Sequence, residues 1–138
     1  FFGQPYWYSK IFVWEILLII KKLNDEKFNG NIFLISKCTP WAQEKILIWL
    51  KDNDFYSKTG VKLENVLFCR ERHEKDKICS DNNITYFIDD RLEVLSHMIN
   101  IVPHLFLYQP DQAEIDEYKQ FLPKVTRVDS WVEVIEKI

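Results

Sequence analysis

Five short apolar runs recur along the chain: "NIFLIS" (31–36), "NVLFC" (65–69), "ITYFI" (84–88), "HLFLY" (104–108) and "VTRV" (125–128). Each has strand length, and each is separated from the next by a segment of helical character. Residues 9–23 read as an apolar helix. Thr39-Pro40, an N-cap residue followed by proline at the first helical position, opens a second helix over "WAQEKILIWLKD". A short helix is expected after "RERHEKDK" (70–77), running to about Asn82. Further helices are expected over 91–100, 111–121 and 131–137, the last capped by Asp129 or Ser130. Asn29-Gly30 marks a turn and Gly60 closes a loop. Strands that alternate with helices in this way build βαβ units, so the expected fold class is α/β with a parallel sheet and right-handed crossovers.

Size and charge narrow the function. A chain of 138 residues is read as one domain, 1–138, with enough length to bury a core without disulfide staples. Its net charge of −3 lacks the basic excess of a nucleic-acid backbone binder, so no nucleic-acid partner is expected. The longest apolar run, "IFVWEILLII" (11–20), is interrupted by Glu15 and falls short of the ~20 apolar residues that span a bilayer. It also lacks the small-residue cleavage site of a signal peptide, so no membrane partner is expected. Cys38, Cys69 and Cys79 are odd in number and contain no CxxC, which places the chain in a reducing cytoplasm with its thiols as small buried apolar groups. These cysteines and His73, His97 and His104 form no zinc-ligand spacing. Oligomeric state leaves no mark. The aromatics Trp7, Tyr8 and Phe12 in "QPYWYSKIF" (4–12) suit a small lid, an interface or packing on the core.

In open parallel sheets ligands bind beyond the carboxyl ends of the strands. Three such ends carry chemistry here. After the first strand, "SKCTP" sets a hydroxyl (Ser36), a cation (Lys37) and a helix start within five residues, a combination that suits a phosphate as well as a simple cap. After the second strand, "RERHEKDK" reads mainly as a solvated charged loop, with one or two cations available to an anionic ligand. After the third strand come Asp89 and Asp90. Asp90 has the position of an N-cap, with Glu93 three residues on as in a capping box, which leaves Asp89 unexplained. Two carboxylates about 4 Å apart repel by about 4 kcal/mol at an effective dielectric of ~20, and a Mg²⁺ ion reverses the sign. Hydroxyl, lysine and paired aspartates at successive strand ends therefore describe a site for a phosphate and a divalent cation.

These stretches resemble the motifs of the haloacid dehalogenase (HAD) superfamily, whose members are mostly Mg²⁺-dependent phosphohydrolases. "NIFLISK" is similar to the second motif, a strand ending in Ser or Thr. "KDKICSDNNITYFIDD" resembles the third, a lysine on the short helix before a strand, and "FIDDRLEVL" the fourth, a strand ending in acidic residues. The likeness covers about residues 28–110, and the combination is similar to a group of small bacterial HAD-like proteins. It implies a three-layer α/β/α Rossmann-like sheet, Mg²⁺ as cofactor and a small phosphorylated substrate. It also implies roles: Ser36, beside Lys37, hydrogen-bonds the phosphoryl group, Lys75 (with Lys77 as runner-up) offsets charge, Asp89 ligates the metal directly, and Asp90 is a second or water-mediated ligand, or the cap.

One family element does not occur. The first motif, Asp-x-Asp at the end of a strand, supplies the nucleophile and an acid/base carboxylate. Nothing before Ser36 fits it, since Asp25 lies in "LNDEKFNG" after a helix. The family fold places that strand in the centre of the sheet, between the strands ending at Ser36 and Asp89. The sequence also begins "FFGQPYWYSK" with no initiator methionine. The expectation is a fragment cut downstream of the first motif, inactive by itself, with a decayed, non-catalytic binding or scaffold module as the alternative. A receiver-type domain fits less well, because "LISK" and "VLFC" supply neither its acidic cluster nor its phosphorylatable aspartate. Only a helix and a loop fit between residues 37 and 64, so no large cap domain is expected there.

Overall fold

The computed structural model describes residues 10–138, with side chains from residue 16 onward. Ser9 and the aromatic side chains of segment 4–12, including Trp7, Tyr8 and Phe12, lie outside that range. The fold is mixed α/β with parallel sheets, as the alternating runs predict. Within the 138 residues read above as one domain, the chain divides into two compact units, the first ending at Arg70 and the second running from Glu71 to Ile138.

In the first unit, helix α1 (Lys10–Leu23) buries Ile16, Leu17, Ile20 and Leu23, a helical spacing that makes one apolar face. The apolar helix read from the sequence is nevertheless not buried all round: Leu18 is 59% exposed, and Lys21 and Lys22 are exposed. The helix ends in a wider π-turn, Asn24–Phe28, and the predicted Asn29-Gly30 turn follows with both residues at positive φ. Strand β1 (Leu34–Lys37) pairs in parallel with β2 (Val66–Cys69), Leu34 opposite Val66 and Lys37 opposite Cys69. Asn65, buried just before β2, donates from its side-chain amide to the carbonyls of Gly30 and Ile32 and so holds the segment entering β1.

Helix α2 (Pro40–Asp52) starts as predicted: the Thr39 hydroxyl accepts from the Ala42 N–H at 3.2 Å, and Pro40 occupies the first turn. The expected loop before Gly60 holds instead a short helix, α3 (Phe55–Thr59), whose Phe55 and Thr59 are fully buried with Leu50 and Val61. Thr59 closes α3 by donating to the Phe55 carbonyl and accepting from the Val61 N–H. Gly60 then turns the chain at φ +78°, and its N–H donates to the Tyr56 carbonyl.

The second unit runs α4 (His73–Asp81), β3 (Tyr86–Asp89), α5 (Leu92–Ser96), β4 (His104–Tyr108), α6 (Gln112–Glu117), β5 (Thr126–Val128) and α7 (Trp131–Lys137). Its sheet is parallel in the order β3-β4-β5. The central strand β4 buries Leu105, Phe106, Leu107 and Tyr108, and Leu92, Leu95, Met98, Val102, Val128 and Val134 complete the core. Helices 91–100 and 111–121 are shorter than expected. Past Ser96 the chain goes through turns, and past Glu117 a 3₁₀ stretch, Lys119–Lys124, carries Pro123, which cannot extend an α-helix. Ser130, not Asp129, caps α7. Its hydroxyl accepts from the Glu133 N–H, and the Glu133 carboxylate reaches back to the Asp129 N–H.

The close approach at Gly60 generates a prediction. A Cβ there would lie 2.9 Å from the Asn24 amide nitrogen, in a backbone conformation that L-residues rarely adopt. Gly60→Ala is therefore expected to destabilise the first unit by roughly 1–3 kcal/mol. Urea melts check this, and an unchanged midpoint would rule out the proposed crowding against Asn24.

Candidate functional site

Asp89 ends β3, opposite Leu107 of β4, and is 6% exposed. Lys75, the third residue of α4, is 7% exposed. Its ammonium nitrogen lies 3.2 Å from Asp89 Oδ2. The other carboxylate oxygen, Oδ1, accepts from the Arg91 N–H at 2.9 Å. A buried charge is tolerable only when paired and hydrogen-bonded, and Asp89 meets both conditions. Lys77, the alternative lysine, is exposed and pairs along its own helix with Asp81.

Asp90 is exposed as a residue, yet its carboxyl is pushed above the ordinary carboxylate range. Partial desolvation of the group is the main cause, and the adjoining Asp89 carboxylate adds to it. The capping-box expectation for Asp90 and Glu93 is corrected. The chain bends at Asp90 and is extended at Arg91, so Arg91 holds the N-cap position of α5 and Glu93 falls at the second residue of the helix. The Glu93 N–H is satisfied by Glu114 Oε1 of α6 at 3.0 Å. The Glu93 carboxylate instead takes the guanidinium groups of Arg72 and Arg91, and Glu114 takes Arg91 Nε at 3.6 Å. Sequence reasoning missed this network. It joins residues 21 positions apart, so no local spacing announces it, and "RERHEKDK" had been read mainly as solvated charge.

The remaining two candidates belong to the first unit. Ser36 sits half-buried in β1 opposite Phe68 and lines a small apolar pocket with Leu34, Ile46 and Val66. Lys37 is exposed beside it. The following loop continues the pairing of the strands, since the Cys38 N–H donates to the Cys69 carbonyl at 3.0 Å. Cys69 and Cys79 are buried, as expected of apolar thiols, whereas Cys38 is half-buried. Burial, followed by the nearby Asp76, raises the Cys79 thiol to about 12, so it stays protonated and unreactive at neutral pH.

The donor set bears on Mg²⁺. Among the described residues no group of three or more His, Cys, Asp or Glu side chains gathers as a metal cluster. Asp89 and Asp90 are two hard oxygen donors, and desolvation together with the Asp89 carboxylate raises the proton affinity of Asp90, the condition a dication relieves. Mg²⁺ commonly takes one or two carboxylates and completes its shell with water and phosphate oxygens. Comparison with protein-family models, curated proteins and solved structures finds no match.

Two predictions follow from this geometry. Lys75→Met leaves a buried carboxylate unpaired and is expected to destabilise the second unit by roughly 3–5 kcal/mol. The double variant Lys75→Met/Asp89→Leu should recover most of that loss in chemical denaturation, and a single-variant loss below about 1 kcal/mol would show that the pair is not buried as described. Asp90 has its folded-state pKa raised above the unfolded value, so its charge opposes folding at neutral pH and this opposition fades as pH falls through the carboxylate range. Asp90→Asn should therefore raise stability at pH 7 by at most roughly 1 kcal/mol, the scale of a solvent-screened pair, and have no effect near pH 3. Thermal melts at the two pH values check the sign.

Proposed function

We propose that this chain is a HAD-like α/β domain of a Mg²⁺-dependent phosphohydrolase acting on a small phosphate monoester. The observation that carries the reading is the buried Lys75–Asp89 pair at the carboxyl end of β3, with the Asp90 carboxylate next to it. On this reading Asp89 and Asp90 hold Mg²⁺, which would neutralise charge on the phosphoryl oxygens. Lys75 fixes the Asp89 carboxylate in place. Ser36 donates its hydroxyl to the phosphoryl group and Lys37 adds a positive charge. Catalysis of phosphoryl transfer is largely positioning and charge neutralisation, and these residue types supply both.

The parallel strand pairing within each unit is compatible with an α/β fold. Among the described residues β1 pairs only with β2, and β3 only with β4, so one edge of each is without a strand partner. None of the described strands ends in Asp-x-Asp, so the nucleophile of the family mechanism is not among them.

A second reading, a non-catalytic binding module on the same fold, is favoured by one observation: both oxygens of Asp89 already accept hydrogen bonds from the protein. Hydrolysis of an aryl phosphate with Mg²⁺ by the intact gene product separates the two. The phosphohydrolase reading expects Mg²⁺-dependent turnover, lowered about 10²–10³-fold by Asp89→Asn. Turnover that ignores Asp89→Asn would sink that reading, and phosphate binding without turnover would establish the module.

A further inference from the structure

Arg70 directly follows β2, in a charged stretch that reads as solvent-facing, and it is exposed. Exposed arginines seldom hold fixed long-range partners, because ordering the side chain costs rotamer entropy. Arg70 nevertheless reaches two acceptors on another part of the chain. One terminal nitrogen donates to the Cys38 carbonyl at 3.1 Å, and the other donates to Gln43 Oε1 at 2.8 Å. Cys38 lies in the loop after β1, and Gln43 lies in the first turn of α2, so the planar guanidinium spans the junction between them. The same junction is held from the other side by the Cys38 N–H, which donates to the Cys69 carbonyl. The loop that follows Ser36 and Lys37 is thus fixed on both its N–H and its C=O by the end of β2.

We propose that Arg70 is a positioning residue for anion binding: by bridging Cys38 and Gln43 it holds the Cys38–Thr39 loop, and with it the Ser36–Lys37 end of β1, against the start of α2 in the arrangement that receives a phosphoryl group. This deepens the phosphate reading of Ser36 and Lys37 and rests on it. The geometry also sets which replacement fails. A lysine keeps the charge but lacks the rigid fork that meets two separated acceptors at once. The bridge, rather than the charge, is the contribution.

The test is titration of the ¹⁵N-labelled 138-residue chain with inorganic phosphate, following the backbone amides of residues 36–42. Wild type is expected to show saturable shifts there. Arg70→Ala should weaken phosphate binding about tenfold, the scale of one charge-assisted hydrogen bond. It should also speed hydrogen exchange at the Cys38 amide. Arg70→Lys should recover less than half of the lost affinity. Gln43→Ala should weaken binding in the same direction, with little further loss in the Arg70→Ala/Gln43→Ala double variant, since both changes break one bridge. Unchanged affinity in Arg70→Ala, full rescue by lysine or simple additivity with Gln43→Ala would each overturn the inference. Absence of shifts at 36–42 in wild type is a different failure: it removes the phosphate reading of the loop, and the role of Arg70 with it.

Discussion

Taking an ammonium and a carboxylate out of water is unfavourable unless each satisfies the other, and Lys75 and Asp89 do so at the point where α4 meets the end of β3. Much of the second unit is arranged around that constraint. Asp89 is fixed further by the Arg91 N–H two residues on, an Asx-type contact at the bend that precedes α5. Beyond that bend the Glu93 side chain gathers Arg72 and Arg91, and the first turn of α5 is capped by Glu114 from α6. The buried pair, the bend and the charged network are therefore contiguous. Apolar packing alone does not specify a position this finely, because it is non-directional.

The consequence for chemistry is a division of labour between adjacent aspartates. Asp89 is buried and held in place by two donors, the Lys75 ammonium and the Arg91 N–H. Asp90 faces solvent and carries a charge that its neighbour makes less comfortable. Of the two, Asp90 has the stronger electrostatic need for a cation, whereas Asp89 has the better-defined geometry. The proposed metal role thus draws on different properties of the two residues, and the alternative of a binding module draws on the satisfaction of Asp89 alone.

The elements were legible in the sequence where a side chain reports its own local environment. The Thr39-Pro40 helix start, the β4 run and the span of α7 all match, because cap chemistry and apolar runs are local signals. Helix α3 escaped notice because Phe55 and Thr59 are buried by tertiary packing within a segment rich in polar residues. The capping box failed by one residue, since a sequence pattern does not say whether Asp90 or Arg91 holds the N-cap position. Lys75 was preferred to Lys77 on motif likeness, and the structure puts Lys75, not Lys77, in contact with Asp89. The Arg70 bridge and the Arg72–Glu93–Arg91–Glu114 network left no trace in spacing, because their partners meet only after folding.

Strand burial differs between the two units in a way that bears on how each is stabilised. In β4, flanked by β3 and β5, four of five residues are buried. In β1 and β2, only Cys69 is buried, although the sequences "LIS" and "VLF" are as apolar as a strand covered on both faces. A two-stranded pair contributes little stability by itself. The first unit must then draw its stability mainly from the helical core of Ile16, Leu17, Ile20, Leu50 and Phe55, with Asn65 and Arg70 securing the two ends of the strand pair. Apolar strands that remain half-exposed are suited to further pairing or cover, and the edge of β1 that has no strand partner among the described residues lies on the same element that presents Ser36. The loop that follows this strand is anchored twice, by the backbone bond from the Cys38 N–H to the Cys69 carbonyl and by the Arg70 bridge, and the second of these is the one a side-chain substitution can remove.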